Sequence, residues 1–213
     1  MKVPNGQQTQ VNHVYQSVIQ HCSLEPYHFV LNIGFNTGQA FSEVFKQLKG
    51  RNSFPYSNSV QGGTGRVIGT ETSDSKIKKV KKEFHEEVNY GILELTKCTS
   101  DNMPFITDMF ECVFTVNGLH DWIHLNETLQ EIYRILRPGC VFVSSIQDYK
   151  EVMKNSKRTA KTKVHTVDEF IHSLKENGFV KIRTHDHRDS RTGSKYDVVK
   201  AFTPLVKDSN INS

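Results

Sequence analysis

The chain has 213 residues, of which 36% are hydrophobic, so it is long enough for one well-packed domain and too short for two large ones. Its formal net charge of +4 is mild and is compatible with an anionic partner without requiring one. No run approaches the roughly 18 apolar residues of a membrane-spanning helix, and residues 1–10 are polar, unlike a secretory signal. We therefore expect a cytoplasmic or nuclear protein with no membrane span.

The cysteines and late histidines give no sign of a metal site. The cysteines are scattered and form no C-x-x-C pair, which argues against both a zinc site and a disulfide framework. His185 and His187 lie close together in the sequence, but no further ligands accompany them. We interpret the four cysteines as reduced thiols: Cys22, Cys98, Cys112 and Cys140.

The first informative pattern lies near the N-terminus. A possible helix over Val11–His21 precedes the stretch Phe29–Gly38, in which an apolar strand runs straight into a glycine turn. Gly34 and Gly38 remove side chains where backbone would approach a ligand. The amphipathic helix that follows, over about Thr37–Leu48, would aim its free N–H groups at the same place. This segment favours a nucleotide cradle, although similar turns also occur for steric reasons alone.

Strand and helix patterns then alternate to the end of the chain. In order they are a Ser-, Asn- and Gly-rich loop at 50–66, strand Val67–Glu71, a helix with Ile77, Val80 and Phe84 on one face, strands Leu93–Leu95 and Cys112–Val116, a helix carrying Leu125, Leu129, Ile132, Tyr133 and Leu136, strand Val141–Val143, a helix opened by a capping box of Thr166 and Glu169, and strands Val180–Thr184 and Tyr196–Phe202. This alternation predicts a doubly wound α/β fold with a mostly parallel sheet, helices on both faces and a ligand crevice at the carboxyl ends of the strands.

Five motifs in the expected order carry a resemblance to a known family. They are Asn32–Gly38 after strand one, Glu71 at the end of strand two, Asp101–Phe105 after strand three, Asn117–Trp122 after strand four, and Leu136–Gly139 before strand five. With these motifs the chain resembles the class I S-adenosylmethionine-dependent methyltransferases, especially the type 11 domain branch that acts on small molecules. The resemblance spans roughly Val30–Phe202.

The resemblance implies a single Rossmann-like domain with seven strands in the order 3-2-1-4-5-7-6, the seventh antiparallel. It divides the chain into an N-terminal helix or lid (1–22), a methyltransferase-like domain (23–205, with 50–66 as a loop insertion) and a flexible tail (206–213). It also implies S-adenosyl-L-methionine as the cofactor and a small-molecule methyl acceptor as the partner, while the oligomeric state stays open.

The resemblance also implies the roles of individual residues. Glu71 would hold the ribose hydroxyls, and Thr99 and Ser100 would lie by the adenine. The full expected cofactor-binding set is Asn32, Gly34, Asn36, Gly38, Glu71, Thr72, Thr99, Ser100 and Asn117. His120 and Asp121, just beyond strand four, are candidate catalytic bases, with loop capping and helix entry as the alternative.

Three residues depart from the family pattern. Asn32 stands where a carboxylate is usual, and the loss of a charge-assisted hydrogen bond would weaken binding by roughly tenfold. Asn36 replaces a glycine, but asparagine is among the residues that best tolerate a positive φ. Thr99 stands where an acidic residue usually follows strand three, so the adenine amino group would depend on backbone and on Asp101.

These departures leave alternatives open. The chain could be a non-catalytic relative with a binding or regulatory role. It could also be an RNA methyltransferase or nucleic-acid-binding module that uses the basic segment Lys150–Lys163, although solvated lysines on a loop explain that segment more simply. A nicotinamide-linked oxidoreductase is disfavoured, because the glycines are spaced G-x-x-x-G rather than G-x-G-x-x-G.

Overall fold

The protein is described by a computed structural model over residues 13–49, 65–147, 166–189 and 193–207. The basic segment Lys150–Lys163 and nearly all of the loop at 50–66 lie outside these ranges. In chain order the elements are α1 His13–Cys22, β1 Phe29–Ile33, α2 Gln39–Lys49, β2 Arg66–Glu71, α3 Asp74–Glu83, α4 His85–Asn89, β3 Leu93–Lys97, β4 Phe110–Val116, a 3₁₀ turn Leu119–Asp121, α5 Leu125–Ile135, β5 Leu136–Gln147, α6 Val167–Glu176, β6 Val180–Arg188 and β7 Lys195–Phe202.

The strands of the described residues form one seven-stranded sheet in the order β3-β2-β1-β4-β5-β7-β6. Neighbours from β3 to β5 are parallel, and β7 runs antiparallel to both β5 and β6. This confirms the predicted fold class and strand order. The order reverses between β1 and β4, and ligands of open α/β sheets bind in the crevice at the carboxyl side of such a reversal.

Helices cover both faces of this sheet. On one face, α1, α2 and α3 enclose an apolar cluster that includes Phe41 and Phe84. On the other face, α5 and α6 pack on a cluster that includes Phe142 and Phe170. The predicted capping box at the start of α6 is confirmed, with reciprocal hydrogen bonds between Thr166 and Glu169.

Several boundaries differ from the sequence-based expectation. β5 begins at Leu136, directly after α5, so Pro138 and Gly139 lie within the first residues of the strand instead of in a separate turn. Gly139 has a φ of +75°, and the pairing of β4 with β5 shifts register at this point. A glycine at positive φ therefore absorbs the helix-to-strand change inside the strand itself. Similarly, β6 extends to Arg188, so His185 and His187 lie within it.

The chain beyond residue 205 is anchored at its start. The ammonium group of Lys207 donates to the carbonyl of Tyr133 and to a carboxylate oxygen of Asp108, both at 2.6 Å, and also to the carbonyl of Leu136. A lysine at the C-terminal end of α5 satisfies carbonyls that have no partner within the helix. Residues 208–213 of the expected tail lie outside the described residues.

The N-terminal helix α1 belongs to the packed core. Its apolar face, which includes Val18 and Ile19, is fully buried against the sheet and α2. The hydroxyl of Ser17 lies 2.9 Å from that of Tyr196 on β7, and the ring of His21 stacks on that of His185 at 4.3 Å. The expectation that residues 1–22 act as a lid remains a prediction.

The histidine contacts at the end of α1 predict that the stability of the protein falls at acidic pH. Burial, together with His185, His187 and Lys200, lowers the pKa of His21. Because the unfolded chain then binds a proton more readily than the folded one, stability is complete above the ordinary histidine pKa of about 6.5 and falls as the pH drops through it. We expect His21→Gln to flatten this part of the melting-temperature profile, and an unchanged profile would contradict the assignment.

Gly69 on β2 provides a test of packing beneath the glycine turn. A Cβ at this position would lie 2.5 Å from the ring of Phe41 and 2.7 Å from that of Phe35. We expect Gly69→Ala to lower the free energy of unfolding by about 1–3 kcal/mol through overpacking, as measured by denaturant titration. Phe41→Leu in the Gly69→Ala background should restore part of the loss, and a purely additive double variant would contradict this explanation.

Candidate functional site

The turn after β1 is held by the end of β2. The backbone N–H groups of Gly34 and Phe35 both donate to the carbonyl of Thr70, at 2.9 and 3.2 Å. The next N–H, that of Asn36, donates to the Glu71 carboxylate at 3.1 Å. Three consecutive backbone donors thus bind the neighbouring strand, which fixes the shape of the turn.

Asparagine takes a glycine-like conformation in this turn. Asn36 has a φ of +51°, in the left-handed region that asparagine tolerates better than most residues. Gly34 has a φ of +67°, and a Cβ added there would meet no atom within 4 Å. Gly38 differs, because its added Cβ would lie 3.1 Å from the side chains of Phe84 and Val80. Gly38 therefore allows α2 and α3 to pack closely, whereas Gly34 leaves space beside the turn.

Glu71 is the acidic centre of the site. It is only 7% exposed, and its second carboxylate oxygen accepts the backbone N–H of Thr72 at 3.0 Å. Lys76 on α3 lies 3.4 Å from the oxygen that binds Asn36. A carboxylate has about four acceptor positions, so these contacts orient Glu71 and still leave capacity for a ligand hydroxyl.

The loop after β4 forms the opposite wall. Asn117 has a φ of +55°, and its backbone N–H donates to the hydroxyl of Ser145 on β5 at 2.9 Å. The same hydroxyl donates to the Asn117 side-chain oxygen at 3.0 Å. Thr115 donates to the carbonyl of Ile33 at 2.9 Å, and a Cβ on Gly118 would collide with the Thr115 hydroxyl. These contacts hold the ends of β1, β4 and β5 together.

The segment after β3 contributes small polar groups. The hydroxyl of Ser100 lies 3.0 Å from that of Thr128 on α5. Burial and the nearby Glu131 raise the pKa of the Cys98 thiol to about 11. Cys98 is therefore protonated near neutral pH, which argues against a nucleophilic role.

An ion pair on α5 supports the motif Asp101–Phe105. Glu131 and Arg134 are joined at 2.7 Å. Glu131 also accepts the backbone N–H of Met103 at 3.0 Å, and Arg134 donates to the carbonyl of Phe105 at 2.7 Å. The motif thus follows β3 along a path set by α5.

Together these elements enclose a cleft of about 420 Å³. Its lining comprises Tyr15, Ile33, Gly34, Asn36, Thr70, Glu71, Thr72, Lys76, Cys98, Ser100, Val116, Asn117, Gly118, Asp121 and Trp122. The volume lies within the range of small-molecule and cofactor sites, roughly 300–1,000 Å³. The predicted crevice at the carboxyl ends of the strands is therefore present.

Most of the residues predicted for the site meet in this cleft. Those in its lining are Gly34, Asn36, Glu71, Thr72, Ser100, Asn117 and Asp121, whereas Asn32, Gly38, Thr99 and His120 do not line it. The cleft is also lined by four residues for which the sequence predicted no site role: Tyr15, Lys76, Cys98 and Trp122. Trp122 ends the motif Asn117–Trp122, whereas the other three belong to none of the five motifs. Their presence at the cleft depends on how α1, α3 and the loops pack together.

His120 and Asp121 point to different environments. His120 is 3% exposed and does not line the cleft, whereas Asp121 is exposed and borders it. Both belong to the short 3₁₀ turn Leu119–Asp121, in which the Asp121 N–H donates to the Gly118 carbonyl at 2.9 Å. Their catalytic roles remain predictions, and Asp121 is the better placed of the two to reach a ligand.

Asn32 is a buried polar residue on β1, one residue before the lining begins. It is 1% exposed, and neither atom of its amide has a hydrogen-bond partner within the part of the chain that the structure describes. Burying an unsatisfied polar group costs roughly 1–3 kcal/mol. Asn32 thus destabilises the protein unless it has a partner such as a ligand or bound water.

This cost predicts the effect of an isosteric substitution. Asn32→Leu removes both unsatisfied atoms with little change in volume, so we expect a rise in the free energy of unfolding of about 1 kcal/mol or more. Denaturant titration of the ligand-free protein measures the change, with Thr115→Val as a control that breaks a satisfied buried hydrogen bond and should destabilise. A loss of stability in Asn32→Leu would mean that the amide has a partner.

Sequence comparison supports the family suggested by the motifs. A methyltransferase-domain family model matches residues 48–144, just under half of the chain. The ubiquinone/menaquinone biosynthesis C-methyltransferase UbiE of Pseudomonas putida (strain GB-1) is 28% identical over 78 residues, which are 37% of this chain and 30% of that protein. UbiE of Enterobacter sp. (strain 638) matches at 28% over 78 residues, 37% of this chain and 31% of its own length. The aligned part therefore spans about a third of these relatives.

Similar solved structures agree on the fold. A geranyl diphosphate methyltransferase in complex with SAM matches with a TM-score of 0.69 and 13% identity, covering 89% of this chain and 84% of its own. The phosphoethanolamine N-methyltransferase 2 of Haemonchus contortus, in complex with S-adenosylhomocysteine, matches with a TM-score of 0.70 and 12% identity. The match covers 90% of this chain and 52% of that one. The [4+2]-cyclase SpnF matches with a TM-score of 0.70 and 12% identity, covering 91% of this chain and 82% of its own. At these identities the likeness concerns the fold alone.

These findings confirm the resemblance drawn from the motifs. Residues 48–144 match a methyltransferase-domain model, and the described residues have the fold of the class I S-adenosylmethionine-dependent methyltransferases. Among the described residues, no helix combines the length and the apolar character that a membrane crossing needs.

Proposed function

We propose that this protein is an S-adenosylmethionine-dependent methyltransferase that acts on a small molecule. The observation that carries the proposal is the buried Glu71 carboxylate, which faces a cofactor-sized cleft at the reversal point of the sheet. The names of the similar proteins support the same class, since they include a quinone-biosynthesis C-methyltransferase and two methyltransferases in complex with SAM or S-adenosylhomocysteine.

The residues present fit this cofactor. Glu71 retains acceptor capacity for the ribose hydroxyls, and the space beside Gly34 would admit ligand atoms next to the turn. Ser100 and Cys98 border the end of the cleft formed by β3, where the resemblance puts the adenine. Asn32 would supply a neutral amide in place of a carboxylate. Because Asn32 is buried one residue before the cleft lining, its two unsatisfied atoms would reach the ligand's amino-acid part through water.

The proposed chemistry asks little of the protein beyond positioning. Bound S-adenosylmethionine would supply a methyl group on an activated sulfonium. Holding an acceptor at near-attack distance can account for roughly 7–11 kcal/mol of barrier reduction. Asp121 borders the cleft and would take a proton from a hydroxyl or ammonium acceptor, while Trp122 and Val116 form an apolar wall beside it.

A binding role without methyl transfer is a second candidate. Asn32 favours it, since an amide lacks the charge that the family's usual carboxylate provides. SpnF is named a cyclase, so this fold also serves reactions other than methyl transfer. The two candidates differ in turnover. A methyltransferase converts S-adenosylmethionine to S-adenosylhomocysteine when an acceptor is present, whereas a binding protein forms no S-adenosylhomocysteine.

Cofactor binding tests the proposal directly. We expect calorimetry to detect the binding of S-adenosylmethionine and of S-adenosylhomocysteine. Binding should also change the fluorescence of Trp122, because this single tryptophan lines the cleft. Glu71→Gln should weaken binding by roughly tenfold or more, the cost of one or two charge-assisted hydrogen bonds.

Asp74→Asn is the matched control. Asp74 is a carboxylate three residues away, but it is exposed, pairs with Lys97 at 2.5 Å and does not line the cleft. We expect it to change affinity less than twofold. Absence of binding at millimolar ligand would contradict the proposed function. Equal losses of affinity in Glu71→Gln and Asp74→Asn would mean that Glu71 acts only through its negative charge and makes no specific contact with the ligand.

We also propose that the protein works in the cytoplasm. The support is chemical: all four cysteines are free, and Cys22 and Cys112 are buried, so no disulfide marks an oxidising compartment. Cell fractionation tests this, and a secreted or organellar protein would contradict it.

A further inference from the structure

The Glu71 carboxylate accepts from both backbone and side-chain donors. The backbone N–H of Asn36 lies 3.1 Å from Oε2, and that of Thr72 lies 3.0 Å from Oε1. The side-chain donors are further away: the Lys76 ammonium is 3.4 Å from Oε2, and the Thr72 hydroxyl is 3.4 Å from Oε1. Each carboxylate oxygen therefore has one short backbone contact and one long side-chain contact.

The short and long contacts differ in how readily a ligand could replace them. N–H···O hydrogen bonds are usually 2.7–3.2 Å long, so the contact of Lys76 at 3.4 Å is weak. The Lys76 side chain is 45% exposed, whereas that of Glu71 is 7% exposed. The ammonium can move into solvent on its flexible stem and stay hydrated. The carboxylate stays in place, because its two backbone donors belong to the turn after β1 and the end of β2.

Lys76 also lies where a ligand would meet this carboxylate. Both Lys76 and Glu71 line the cleft. Under the proposed function, the ribose hydroxyls donate to Glu71 and so need acceptor positions on its oxygens. The Lys76 ammonium takes one such position, and its charge makes it a stronger competitor than the neutral hydroxyl of Thr72.

We propose that Lys76 is a positioning residue of the cofactor site that competes with the ligand: its ammonium pairs with the Glu71 carboxylate before a ligand binds and is displaced by the ribose hydroxyls. This inference rests on the proposed function. The pair keeps the carboxylate in its binding geometry, and breaking the pair lowers the affinity. An exposed ion pair corresponds to at most about fivefold in an equilibrium constant.

Lys76→Met tests the competition, since it removes the ammonium and keeps most of the aliphatic stem. We expect this variant to bind S-adenosylhomocysteine about two- to fivefold more tightly than wild type in calorimetry. S-adenosylhomocysteine is the suitable probe because it lacks the positive sulfonium, which any lysine near the cleft would repel.

Salt dependence gives a second readout that a purely structural role would not change. Added salt screens the pair of Lys76 with Glu71, so it should tighten binding to the wild type and have less effect on Lys76→Met. Lys76→Arg retains the positive charge. We therefore expect its affinity to lie within about twofold of wild type, with the same direction of salt dependence.

Lys79→Met is the matched control. Lys79 is an exposed lysine on the same helix, α3, and does not line the cleft, so its substitution changes the net charge equally. We expect it to leave the affinity within about 1.5-fold of wild type. In a Glu71→Gln background, Lys76→Met should give no gain in affinity, because the ammonium has no carboxylate to pair with. Melting curves of all variants show that each is folded.

The outcomes separate the two proposals. If the wild type binds S-adenosylhomocysteine, unchanged or weaker binding by Lys76→Met would overturn the competition and leave the function standing. An equal gain in Lys79→Met would also overturn it, by showing that net charge alone sets the affinity, as would an equal gain in the Glu71→Gln background. Absence of binding in the wild type and in Lys76→Met alike would overturn the proposed function and this inference with it.

Discussion

The site depends on one constraint: the turn after β1 is bonded to the end of β2 by three consecutive backbone donors. Parallel pairing places Ile33 opposite Thr70, so the chain leaving β1 passes directly over the carbonyl of Thr70 and the carboxylate of Glu71. The turn therefore cannot shift without leaving buried polar groups unsatisfied. The same bonds orient Glu71 toward the cleft, so one set of contacts shapes both the cradle and its acidic group.

The two asparagines near this turn have different physical consequences. Asn36 keeps the backbone geometry of the glycine that the family pattern expects, since its φ of +51° is accessible to asparagine at small cost. Asn32 keeps the shape of a carboxylate but has no hydrogen-bond partner among the described residues. A residue that breaks a local rule of protein structure, such as the pairing of buried polar groups, without compensation tends to lie at a functional position. Of the two substitutions, Asn32 is therefore the one that lacks local compensation, and its role in ligand binding stays a prediction.

Sequence patterns were sufficient for the fold because the signals were local and repeated. Alternating strands and amphipathic helices indicated a parallel sheet, and the family resemblance supplied its strand order. Site residues were predictable where they followed strand ends, as Glu71 and Asn117 do, since parallel strands bring their carboxyl ends together. Gly38 shows the limit of this reasoning: this glycine of the same motif does not line the cleft, and a Cβ added to it would contact Phe84 and Val80.

The sequence by itself determined the class of fold, the glycine turn and the acidic residue at the end of β2, because periodicity and strand-end position are properties of short stretches of chain. Only the tertiary structure decided that Tyr15 and Trp122 line the cleft while His120 does not, and that α1 is packed into the core. Those outcomes depend on how distant elements pack against one another. A contact between residues far apart in the chain leaves no periodic pattern in the sequence from which it could be recognised.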